Sequence, residues 1–155
     1  MHWAVEDCAG CLKLLALYED TDFIYMILDF QPKGSLMTTL EDNMQFNEAD
    51  VRVIMEQALL ALDLFQKKHI VHRDIKLENI LINQIEEKTK CEIRIADFGL
   101  AAFTPNDELI THKCGSPGYV APEIFQKSGY SYKADVFSLG SVFFNLLTGR
   151  YLFSG

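Results

Sequence analysis

The chain has no excess of positive charge. Asp and Glu number 22 against 14 Lys and Arg, giving a net charge of −8 over 155 residues. A nucleic-acid binder needs a cationic face to meet phosphates, so that class is set aside. The densest lysine pair, Lys67-Lys68, falls where a helix is expected to end, and cations suit that end of its dipole. A membrane-spanning run is also missing. Val136 to Leu147 is interrupted by Ser138, Gly140, Ser141 and Asn145, and is too short to cross a bilayer. Met1 is followed by His2, Trp3 and acidic residues, so no secretory leader is read. Cys8 and Cys11 make one C-x-x-C, but no second pair and no histidine pair follow at zinc spacing. The 4 cysteines read as free thiols in a reducing compartment, which places the protein in the cytoplasm.

At 49% hydrophobic and 23% charged residues, the composition is that of a globular domain long enough to hold a core. Leu12 to Tyr18 and Phe23 to Phe30 are apolar runs separated by Asp20-Thr21-Asp22, which predicts a hairpin whose second strand is well buried. Pro32 and Gly34 break it. A short helix is expected over Ser35 to Glu41. A long one is expected over Glu48 to Lys68, capped by Asn47 and Asp50, with Val51, Ile54, Met55, Ala58, Leu62 and Phe65 on one face. Ile80 to Ile82 and Glu92 to Ala96 read as strands around a solvated polar turn over 83–90. Residues 100–114 read as irregular. Pro122 is placed to open a short helix, and Ala134 to Leu147 reads as a buried helix ended by Gly149.

One stretch carries chemistry. Ile70 to Ile82 reads IVHRDIKLENILI: charged and amide groups held between branched apolar residues that anchor them in a core. Asp74 offers a carboxylate to accept a hydroxyl proton. Lys76 offers a cation for a moving phosphoryl group, and Asn79 an amide oxygen for a hard divalent cation. Downstream, Asp97 adds a second hard oxygen donor.

HRDIKLEN (72–79), DFG (97–99) and APE (121–123), in this order, resemble the catalytic domain of eukaryotic serine/threonine protein kinases. CGSPGYVAPE and SYKADVFSLG resemble the calcium/calmodulin-dependent and calcium-dependent group of that family. The resemblance implies an α+β, two-lobed fold, here truncated to the last hairpin of the small lobe and a mostly helical large lobe. It makes 1–155 a partial kinase domain: 1–30 a small-lobe remnant, 31–34 the hinge and 35–155 an incomplete large lobe.

The resemblance implies ATP and Mg²⁺ as cofactors and a protein with Ser or Thr acceptors as substrate. Asp74 resembles the catalytic base, Lys76 the lysine on the γ-phosphoryl group, and Asn79 and Asp97 the Mg²⁺ ligands. Leu28 resembles the residue behind the adenine, and Asp29, Phe30 and Gln31 the hinge beside it, although a plain strand exit fits these positions too. Leu81 and Leu36 resemble groups beneath the ring, with a core role as the alternative. Ser116 resembles the hydroxyl that seats the acceptor, and Glu78 an acid favouring basic residues before the phosphosite. His72, Arg73, Phe98, Gly99, Glu123 and Asp135 resemble structural supports.

The sequence also departs from the family pattern. It contains no Gly-rich loop, no strand lysine for the α- and β-phosphates with its glutamate partner, and no arginine for Glu123. His112 stands at the usual loop phosphosite, Thr111 one residue off, and Ala102 replaces a basic residue, so activity is expected to depend little on loop phosphorylation. Two readings stay open: a fragment of an active kinase, itself expected to turn over little and to dissolve poorly, or a catalytically inactive binding or regulatory module. A regulatory domain or partner is expected outside this chain; no nucleic-acid partner and no membrane segment are.

Overall fold

The fold is built on helix α2, Glu48–Lys67, in a computed structural model that describes residues 2–42, 45–86 and 90–153. Asn47 caps it: its side chain accepts from the N–H groups of Ala49 and Asp50, while Asp50 reaches back to the Asn47 N–H. Val51, Ile54, Ala58, Ala61, Leu62 and Phe65 form its buried face. The helix ends at Lys68, whose ammonium pairs with Asp7 at 2.8 Å.

Before α2 the chain forms a hairpin, β1 (Leu14–Glu19) with β2 (Ile24–Leu28), and a short helix α1 (Leu36–Glu41) capped by Ser35. Strand β3 (Ile70–Val71) pairs with β6 (Ala102–Phe103), and β4 (Ile80–Glu86) with β5 (Lys90–Ile95). Helix α3 (Lys133–Thr148) packs across α2 and ends in Gly149 with φ 67°, the left-handed cap that glycine adopts without a Cβ penalty. Ile80, Ile82, Ile93 and Ile95 from the β4–β5 pair, Phe65 from α2, and Leu139, Val142 and Leu146 from α3 share one core. Gln57 pins the pair to the helix: its Nε2 donates to the Cys91 carbonyl at 2.7 Å and its Oε1 accepts from the Ile93 N–H at 3.1 Å.

Three expectations are corrected. The β1–β2 hairpin forms as expected, but β2 is not buried: Ile24, Tyr25, Met26 and Ile27 lie exposed, as do Leu15 and Leu17 of β1. Apolar composition marks a strand able to be covered; among the described residues nothing covers this one. The polar stretch 83–86 is strand and not turn, because β4 continues in register against β5, Gln84 opposite Glu92 and Glu86 opposite Lys90; residues 87–89 lie outside the described residues. Helix α3 is only half buried: Ser138, Ser141 and Asn145 are inside, while Val136, Phe143 and Leu147 face out. The inward hydroxyls are satisfied within the helix, Ser138 donating to the Ala134 carbonyl at 3.0 Å and Ser141 to that of Phe137 at 3.5 Å. Outward Phe143 and Leu147 join Met55, Leu59 and Leu60 of α2 in an apolar groove of about 780 Å³.

Candidate active site

The segment between β3 and β4 is held from behind by Asp135, which is 2% exposed. Its Oδ2 accepts from the His72 N–H at 2.7 Å and its Oδ1 from the Arg73 N–H at 2.8 Å. Those bonds fix a strained turn, because Arg73 sits at φ 70°, a left-handed conformation a bulky side chain rarely takes. The Arg73 guanidinium Nε donates to the Leu100 carbonyl at 2.5 Å. His72 is fully buried among Phe65 and Phe98, with the Phe98 ring 5.0 Å away edge-on. Its Nδ1 accepts from the Asp74 N–H at 3.3 Å, so Nε2 carries the proton and donates to the Ala96 carbonyl at 3.0 Å. Burial pushes the imidazole pKa down to about 4, which keeps it neutral. Burial likewise pushes the Asp135 carboxyl up to about 6, against the pull of its N–H donors and the Arg73 charge.

Asp74 lies at the front of this turn, 8% exposed. Its Oδ1 accepts from Ser116 Oγ at 2.7 Å; its Oδ2 meets Lys76 Nζ at 2.9 Å and Asn79 Nδ2 at 3.1 Å. Burial raises the carboxyl pKa, but the donors from Lys76 and Ser116, the Lys76 charge and the Asn79 amide outweigh it, and the net shift is downward. Asp74 is therefore an ionised carboxylate whose neighbours are donors. Lys76, its own pKa raised by Asp74, also donates to Ser116 Oγ at 3.0 Å. Three side chains separated by up to 42 residues thus close one triangle around a single hydroxyl.

Asn79 sits on a single 3₁₀ turn over Leu77–Asn79 that feeds β4. Its Nδ2 points back to Asp74, bonding the backbone carbonyl at 2.9 Å as well as the carboxylate. Its backbone carbonyl accepts from the Ala96 N–H at 2.8 Å, which sets Asp97 beside it across the β4–β5 pair. Asp97 has φ 62°; one carboxylate oxygen accepts from the Gly99 N–H at 3.1 Å and the group is exposed at the rim. Among the described residues no cluster of three or more His, Cys, Asp or Glu could enclose a metal ion. Mg²⁺ needs no such cage, because it keeps waters and substrate oxygens and takes one or two protein ligands.

Of the remaining candidates, Glu78 is exposed, Glu123 half-buried on the 3₁₀ turn Pro122–Phe125, and Gly99 exposed at the turn after Asp97. Leu36 is fully buried and belongs to the core, as its alternative reading held. Leu81 is half-buried, opposite Ser35 in an isolated bridge, and the Ile82 N–H reaches the Gly34 carbonyl at 2.8 Å, so this strand lies against the turn that follows β2. Leu28 closes β2 opposite Leu14, and the Asp29 N–H is spent on the Lys13 carbonyl at 3.0 Å. Phe30 is exposed. Gln31 is buried, its Nε2 on Asp29 at 3.2 Å and its Oε1 without a partner among the described residues. Sequence reasoning missed Gln57, a helix glutamine of no motif, because its hydrogen bonds depend on which strand packs beside it.

The chain matches the protein kinase domain model over residues 4–155. It is 38% identical over 144 residues to the probable serine/threonine-protein kinase 2 of Plasmodium falciparum, covering 93% of this chain and 28% of that protein. It is 33% identical over 134 residues to serine/threonine-protein kinase PLK1 of Xenopus tropicalis, covering 86% and 22%. To the human phosphorylase b kinase gamma catalytic chain, liver/testis isoform, it is 34% identical over 144 residues, covering 89% and 34%. The chain belongs to the protein kinase domain family, and the curated relatives it matches are serine/threonine kinases. It spans between about a fifth and a third of their length.

Proposed function

We propose that these residues carry the phosphoryl-transfer half of an ATP-dependent protein serine/threonine kinase. The observation that supports it best is the triangle of Asp74, Lys76 and Ser116, with Asn79 and Asp97 at its edge. An ionised, donor-surrounded carboxylate cannot act as an acid; it can orient an incoming hydroxyl and take its proton. Lys76 balances charge next to that oxygen, and Ser116 seats the acceptor between them. Asn79 and Asp97 are the hard oxygen donors that would hold Mg²⁺, which supplies charge neutralisation on the phosphates. Leu28, Leu81, the Asp29 carbonyl and Gln31 would border the adenine. The unpartnered Gln31 Oε1 fits a ligand that brings an N–H donor. In the same reading 1–30 belong to the small lobe, 31–34 to the hinge and 35–155 to the large lobe. Glu78 favours substrates with basic residues before the acceptor.

A second reading is a kinase-like module that binds without transfer. A Gly-rich loop and a strand lysine for the α- and β-phosphates are not among these 155 residues, so these residues alone supply only part of the grip on ATP. Positioning of the triphosphate is most of this catalysis, so the 155 residues alone are expected to turn over little. The experiment is incubation of the natural protein containing these residues with Mg·ATP and a mixed Ser/Thr/Tyr substrate. Phosphoserine and phosphothreonine that vanish in Asp97→Asn support the first reading. ATP binding without transfer supports the second.

A further inference from the structure

Cys8 and Cys11 pack in the hydrophobic core and take no part in the site above, yet they stand as a pair. Both are buried free thiols, at 5% and 1% exposure. The Cys11 N–H donates to the Cys8 carbonyl at 3.1 Å, closing a four-residue turn. Such a turn brings its end Cα atoms within about 7 Å, the span a disulfide bridges. Of the two thiols only Cys8 reaches a cavity, and Cys11 lies behind it. The neighbouring Cys11 and the Gly10 backbone, with a smaller pull from Lys68, hold the Cys8 thiol below its ordinary pKa against burial and the Asp7 charge, while Cys11 is pushed up. Cys8 lines this surface cavity, of about 470 Å³, with Gly10, Gln57, Ala61, Glu92 and Arg94, which gives a small oxidant a way in.

We infer that Cys8 and Cys11 are an oxidisable pair, with Cys8 the attacking thiol and Cys11 the resolving one, and hydrogen peroxide as the oxidant. The Cys8 thiolate attacks one peroxide oxygen; the O–O bond breaks, the other oxygen leaves as hydroxide and takes a proton to become water, and Cys8 becomes a sulfenic acid. Cys11 then attacks that sulfur. The S–O bond breaks, the hydroxyl leaves as a second water with the Cys11 proton, and the S–S bond forms. Both thiols are oxidised by one electron each and the peroxide is reduced by two.

The turn is joined to the site through β5. The Gly10 carbonyl accepts from the Ile95 N–H at 2.7 Å and the Leu12 N–H donates to the Ile95 carbonyl at 2.8 Å, two residues before Asp97. Closing the disulfide re-angles the carbonyl of Gly10, inside the loop, and so shifts the end of β5. That consequence rests on the reading of Asp97 as a metal ligand; the redox pair itself does not.

The test needs no turnover. The native chain is treated with hydrogen peroxide, and remaining thiols are alkylated and mapped by mass spectrometry. A Cys8–Cys11 disulfide that dithiothreitol reverses is expected. In Cys11→Ser, oxidation stops at a Cys8 sulfenic acid that dimedone traps; in Cys8→Ser, Cys11 stays alkylatable. Oxidation falling first on Cys91 or Cys114 would overturn the pair, as would Cys8 passing to sulfinic acid with Cys11 intact. Hydrogen exchange over 93–97 is expected to quicken in the oxidised chain; unchanged exchange would overturn the link to Asp97 and leave the pair standing.

Discussion

Asp135 Oδ2 holds the His72 N–H at 2.7 Å across 63 residues of sequence. With its partner bond to Arg73 it fixes the backbone from which Asp74, Lys76 and Asn79 project. Asp135→Ala removes both acceptors and leaves two backbone donors buried beside a left-handed Arg73. A loss of about 3–5 kcal/mol in urea unfolding is expected, with Asp135→Asn losing less because it keeps an acceptor.

Asp135 and His72 also oppose each other with pH. His72 is held at about 4, so the unfolded chain binds more protons between pH 4 and the ordinary 6.5. Its contribution is complete above pH 6.5 and is lost as pH falls to 4. Asp135 is held at about 6, so the folded chain binds more protons above the ordinary 3.8; its contribution is complete below that and is lost as pH rises through 6. The slopes nearly cancel in the native chain. In His72→Phe, stability should fall by about 2–3 kcal/mol from pH 4 to 6.5, and in Asp135→Asn rise by as much. Urea midpoints across that range measure it, and slopes of equal sign in the two variants would contradict it.

Gln57 gives a packing prediction. Gln57→Leu keeps the volume but orphans the Cys91 carbonyl and the Ile93 N–H, at a cost of about 1–3 kcal/mol by urea unfolding.

The exposed hairpin gives a solubility prediction. Ile24→Thr and Met26→Lys change residues 66% and 58% exposed, so stability should move by less than about 0.5 kcal/mol while light scattering at high concentration drops. Unchanged scattering would show that this face does not drive association.

The sequence told most where chemistry is local. Asn47 and Asp50 announced the start of α2, and Gly149 the end of α3, because a cap is made within a few residues. Asp74, Lys76 and Asn79 were legible because five residues of chain hold them together, and Asp97 because it follows closely on β5, the partner of the strand that Asn79 leads into. Burial was less legible. Ile24 to Ile27 have a core composition and a solvent environment, whereas Ser138 and Asn145 have the reverse. Local propensity does not know what packs on a face. The register of β4 past Asn83 depends on its partner, and polar Gln84 and Glu86 gave no sign of it.

In the proposed function Asp74, held by Ser116 and Lys76, receives the substrate hydroxyl. This role is tested most directly by steady-state kinetics of the natural protein and its Asp74→Asn variant with Mg·ATP and a serine peptide. A kcat lower by about 10²–10⁴-fold is expected in the variant, with the KM for ATP little changed. Turnover equal to that of the unmodified protein would contradict it.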